Sequence, residues 1–184
     1  GVITNMLDMS SNQGSVGISA GATMHVADNA LDAYNLTISG QLYASTTIDL
    51  NASFTLNATG EFFYDGTSIS AQRNYTDNGG TFDESGVTFT FDGGGGSDDT
   101  VFSVPGIFDG IVDIAKTGSF SDFRVITGSI VNLAAGPVQG GTINISDGAS
   151  LHIADNVIDT YSLTISGQLY ASSTIDLDYR FILN

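Results

Sequence analysis

The sequence predicts an all-β fold, a parallel β-solenoid (β-helix) built from coils of about 20 residues, with tandem β-sandwiches as the alternative. Three observations predict the all-β class and leave both architectures open; the preference for the solenoid comes from the resemblance described below. Gly supplies 23 of the 184 residues, 18 of the 20 acids are Asp, and Thr, Val, Ile, Phe and Tyr outnumber the helix formers. The β-branched and aromatic residues favour strands, and Gly, Asn and Asp favour turns. Short runs of alternating apolar and polar residues follow one another closely, and no ten-residue window carries a 3.6-residue apolar period. The chain also duplicates itself: Gly14 to Asn57 matches Gly141 to Asn184, with 28 of 44 positions identical at an offset of 127.

Alternation marks strands at Val16 to Ser19, Thr23 to Ala27, Asn35 to Ser39, Gln41 to Ser45, Thr47 to Asn51 and Ser53 to Asn57. Further runs follow at Glu61 to Tyr64, Ile69 to Tyr75, Val87 to Phe91, Thr100 to Val104, Ile111 to Ala115, Asp122 to Ile126 and Ser129 to Leu133. Breaks such as Asp65-Gly66, Asn78-Gly79-Gly80 and Asp92-Gly93 separate many of them. Within the runs, Leu36 and Ile38 share one face, as do Phe89 and Phe91, with Thr and Ser opposite.

Residues 1–184 are read as one continuous β repeat segment. In it 1–57 and 128–184 are copies of the same part, and 58–127 is the single-copy remainder of the period. A 127-residue period is about six coils long. A piece of a longer tandem array is the preferred expectation, and a duplicated two-lobed domain the alternative.

The net charge of -16, with only Arg73, Lys116, Arg124 and Arg180 as scattered cations, argues against nucleic acid and against an anionic membrane surface. No stretch is apolar for the roughly 18 residues that membrane insertion by a helix requires. With no Cys there is neither a disulfide framework nor a thiolate site.

The run Asn74-Tyr75-Thr76-Asp77-Asn78-Gly79-Gly80-Thr81-Phe82, followed by Gly86-Val87-Thr88-Phe89-Thr90-Phe91-Asp92-Gly93, carries an aromatic after Asn, then N-x-G-T-F-like spacing, then G-V-x-F-x-F. The stretch Ile107-Phe108-Asp109-Gly110-Ile111-Val112-Asp113-Ile114-Ala115-Lys116-Thr117-Gly118 continues it with a short apolar strand and Lys-x-Gly. Together these resemble the Gly/Asn/Asp/Thr-rich β-solenoid repeats of large secreted bacterial surface proteins, of the adhesin or autotransporter-passenger type. The resemblance implies an extracellular or cell-surface location and a structural role.

Candidate chemistry is sparse. His25 and His152 occupy the same position of the two copies, with no Cys and no further His to converge with them, so they are read as repeated structural residues. The sequence calls for no cofactor; the Asp-rich composition admits calcium, for which Asp92, Asp98 and Asp99 around Gly93-Gly94-Gly95-Gly96 are the candidates. Asp28/Asp155, Asp32/Asp159 and Asp49/Asp176 recur in both copies, and stacked coils would set them in rows. Five N-x-S/T sequons fall at Asn35, Asn51, Asn57, Asn74 and Asn144. Tyr43, Tyr64, Tyr75 and Tyr170 are the binding candidates, because aromatic rings beside Asp and Asn suit glycans.

Expected function follows in order of preference: a non-enzymatic structural repeat that forms a stalk, filament or matrix element by stacking coils; an adhesin-type module that recognises glycans or a surface; and a polysaccharide-degrading β-helix enzyme. The last requires a pair of positioned carboxylates or a basic residue beside them. The expected partners are other copies or further repeats of the same chain, with glycans second.

Overall fold

The computed structural model describes residues 1–3, 14–26, 30–93, 99–115, 122–134, 138–153, 158–172 and 174–184. Among the described residues the regular elements are all strands. The first are β1 (Val2–Ile3), β2 (Val16–Ile18), β3 (Thr23–Val26), β4 (Leu31–Ile38), β5 (Gln41–Ala44) and β6 (Ile48–Leu56). Then come β7 (Glu61–Tyr64), β8 (Ser68–Ala71), β9 (Tyr75–Asp77), β10 (Thr81–Phe82), β11 (Thr88–Phe91), β12 (Thr100–Ile114) and β13 (Phe123–Ala134). The last are β14 (Val138–Ile145), β15 (Ser150–Ile153), β16 (Ile158–Ile165), β17 (Gln168–Ala171) and β18 (Ile175–Leu183).

Their pairings are parallel, and each strand pairs with one about a coil away in sequence. A sandwich would pair its strands mostly antiparallel, so the fold is the parallel β-solenoid, with coils of about 20 residues. A typical coil has three straight segments: 35–38, 41–44 and 48–50. Several strands expected to be separate are continuous. The runs Thr47 to Asn51 and Ser53 to Asn57 form the single strand β6, and those at Thr100 and Ile111 form β12. These strands bend without leaving extended backbone; β4 shifts register between Ala33 and Asn35 as it does so. Conversely, Ile69 to Tyr75 divides into β8 and β9 around a bend at 72–74.

Alternation points every second side chain inward, and in-register stacking lines these residues into rows. One row runs Val16, Leu36, Phe54, Tyr75, Phe102, Val125, Ile145, Ile165 and Leu183, with successive members 18 to 27 residues apart. Most of the row is fully buried, and each such large side chain contributes about 1.5–3 kcal/mol relative to exposure. The middle of the row is aromatic. Tyr75 stacks between Phe54 and Phe102, with centroids 5.3 and 5.1 Å away, and Phe89 and Phe108 meet it edge-on.

The row starting at Val16 reaches Ile145 six steps later, two residues past Ile143, the counterpart of Val16 in the second copy. A slip of two residues keeps the apolar set inside, whereas a slip of one would turn it to solvent.

The two copies fold alike. The strands β3, β4, β5 and β6 recur as β15, β16, β17 and β18 at an offset of 127, and β2 recurs as the end of β14. Glycine fixes the tightest corner. A Cβ at Gly40 would lie 2.3 Å from the carbonyl oxygens of both Ser19 and Ala22, and one at Gly167 would lie 2.3 Å from those of Ser146 and Ala149. The corner before it turns through Gly21 and Gly148, at φ of 75° and 77°, where side chains are disfavoured.

Candidate functional site

The outward side of β3, β5 and β7 gathers hydroxyl, amide, carboxylate and aromatic groups. Residues two apart on a strand share a face, so stacking builds two adjacent columns. In the polar column the Thr23 hydroxyl donates to Gln41 Oε1 at 3.1 Å, and Gln41 Nε2 donates to Glu61 Oε2 at 2.6 Å. In the aromatic column His25, Tyr43 and Phe63 stack with centroids 4.5 Å apart and planes within 10°. The second copy repeats the start of this column, His152 stacking on Tyr170 at 4.3 Å.

Both histidines therefore sit in ring stacks. Tyr43 has His25 on one face and Phe63 on the other, which leaves it mainly ring edges to offer, whereas a sugar stacks on a ring face. Tyr170 is 49% exposed, and its hydroxyl donates to Gln168 Oε1. The Tyr64 hydroxyl donates to the Ser68 carbonyl and so closes a corner; burial raises its pKa. Tyr75, the fourth binding candidate, is fully buried in the aromatic row and offers no ring face to a ligand. Phe63, 42% exposed, was not singled out from the sequence, although Phe62 and Phe63 are adjacent on a strand and one of them had to face outward.

Several carboxylates are tied into the scaffold, between coils or within a turn. Asp32 and Asp49 are register partners on neighbouring coils, as are Asp159 and Asp176. Asn51 Nδ2 donates to Asp32 and the Ser70 hydroxyl donates to Asp49 at 2.7 Å. Asp77 accepts the Gly79 and Gly80 N–H groups, and Asp122 accepts the Thr142 N–H. Of the calcium candidates, Asp98 lies outside the described residues, as do Asp28 and Asp155 of the recurring acids. Asp92 is exposed, and Asp99 accepts the Asp122 N–H at 3.1 Å. Among the described residues no group of three or more His, Asp or Glu is placed to hold a metal ion.

Four of the five sequon asparagines have structural uses. Asn57 Nδ2 donates to the Ser39 hydroxyl and Asn78 Nδ2 donates to Asn57 Oδ1, a ladder along one corner. Asn35 accepts the Ser53 N–H, Asn74 accepts the Val101 N–H, and Gln72 Nε2 donates to Asn51. An outward Asn followed two residues later by an outward Ser or Thr is what a half-buried strand produces unaided, and that accounts for much of the N-x-S/T pattern.

Among the described residues Glu84 is the most perturbed acid. Burial in the turn after β10 is the main cause, reinforced by the negative charges of Asp109, Asp77 and Asp83, and its pKa is raised to about 7. Beneath it the Tyr75 hydroxyl is buried without a hydrogen-bond partner; burial first, then Glu84 and Asp77, push it well above its usual pKa.

Two shallow corner grooves recur at the repeat offset. One, of about 290 Å³, is lined by Gly21, Ala22, Thr23, Gly40, Gln41, Thr59 and Glu61, and the other, of about 370 Å³, by residues that include Gly148, Ala149, Ser150, Gly167 and Gln168. Columns, ladders and grooves all follow the stacking axis, and together with the fold they define a β-solenoid repeat segment. Comparison with protein-family models, with curated proteins and with solved structures finds no match.

Proposed function

We propose that the chain is a non-enzymatic structural repeat of an extracellular or cell-surface protein, in which stacked β coils form a stiff stalk, filament or matrix element. The observation that carries this reading is the return of one coil geometry after 127 residues, down to the contacts made at Gly40 and Gly167. The groups reproduced are those that hold coil on coil. Asn57 reaches Ser39 at 2.8 Å in the first copy, and Asn184 reaches Ser166 at 3.0 Å in the second. Outward polar groups bond one coil along the axis, which supports a mechanical role. The resemblance of 74–82 and 86–93 to secreted repeats supports the location, and further repeats or copies of the chain are the natural partners.

Electron microscopy of the native full-length material, combined with protease shaving of intact cells, tests the reading. Straight rods of uniform width, released from the surface, are the expected outcome. Globular particles or a purely intracellular pool would overturn it.

A further inference from the structure

The duplication provides an internal control for what lies against each coil. Leu42, Ile48, Leu50, Phe54 and Leu56 are fully buried. The same residue types recur at Leu169, Ile175, Leu177, Phe181 and Leu183, where the first three are half-buried and Phe181 and Leu183 are 53% and 70% exposed. Identical side chains in equivalent strands differ only in their neighbours. β5 lies between β3 and β7, and β6 between β4 on one side and β8 with β9 on the other. Among the described residues β17 pairs with β15 alone and β18 with β16 alone.

The first copy also displays the matching cover. Phe62, Ile69, Ala71 and Tyr75 are the register partners of Leu42, Ile48, Leu50 and Phe54. The polar groups agree independently: Gln41 donates to Glu61, Ser70 donates to Asp49, and Asn78 donates to Asn57. In the second copy Gln168 carries the same donor amide as Gln41, and Asp176 and Asn184 carry the same acceptors as Asp49 and Asn57.

We propose that the face formed by β17 and β18 is a docking surface for one further parallel β coil with the chemistry of residues 58–78. That coil brings inward Phe, Ile, Ala and Tyr at the spacing of 62, 69, 71 and 75, and outward Glu, Ser and Asn at the spacing of 61, 70 and 78. An unpaired strand edge supplies the backbone hydrogen bonds, and the side-chain columns select the occupant. The proposal rests on the stacking reading above but fails separately from it, since native material can form rods while this face rejects such a coil.

The experiment extends the full chain by a second copy of residues 58–127 joined after Asn184, and follows amide hydrogen exchange in β17 and β18. Slowing by at least about tenfold relative to the unextended chain is expected, as for strands that become paired on both sides. A second extension, carrying Phe62→Asp, Ile69→Asp and Tyr75→Asp in the appended segment only, is expected to give no protection. Unchanged exchange with the first extension, or equal protection with both, overturns the proposal. So does sedimentation showing that the unextended chain already buries this face against a second copy.

Discussion

Glu84 holds its proton to about pH 7, whereas an unperturbed glutamate loses it near 4.5. Its folded-state pKa is raised, so the neutral form is favoured by folding. That stability is fully present below about pH 4.5 and is lost as pH rises through 7. Thermal melting at stepped pH should therefore show Tm falling between pH 5 and 8. Glu84→Gln should raise Tm at pH 8 and leave it nearly unchanged at pH 4; an equal effect at both values would remove Glu84 as the cause. Tyr75 offers a second test beside it. Its orphaned hydroxyl is a desolvated group without compensation, so Tyr75→Phe should stabilise the fold by about 1 kcal/mol in urea unfolding. From the sequence Tyr75 is a binding candidate, a role that needs an exposed ring. A strand of three residues ending in Thr76 and Asp77 contains too little alternation to set its phase, and only the register with Phe54 and Phe102 places the ring inside.

At the level of elements, corners decide whether a coil closes. Gly40→Ala and Gly167→Ala each drive a methyl into two backbone carbonyls that flexible side chains cannot relieve, and each should cost about 2–3 kcal/mol in denaturant unfolding. Gly17→Ala is the control. Nothing lies within 4 Å of its Cβ position, and a change within about 0.5 kcal/mol is expected. Glycine and asparagine at corners were legible because turns need them. The bends inside β4, β6 and β12 were not, since backbone that turns while staying extended leaves no Gly-Pro signature. The ring stack of His25, Tyr43 and Phe63 was hidden for a related reason. Periodicity tells which residues share a face of one strand, whereas the column depends on which strands lie side by side.

For the molecule as a whole, composition, alternation and duplication were enough to reach an all-β repeat fold. They did not separate solenoid from sandwich, because both bury alternating faces, and only the direction of strand pairing distinguishes them. The stalk reading carries a dimension. Six coils per 127-residue period at roughly 4.8 Å each give a rise of about 29 Å, so rod lengths in micrographs should grow by that step with each added period. The same spacing bears on how the chain reaches its fold. Partners along the row from Val16 to Leu183 are separated by 18 to 27 residues, so relative contact order is only about 0.1, in the range of helical bundles and below that of β-sandwiches. Each coil completes its pairing on the coil made just before it, and lengthening the array adds no long-range search.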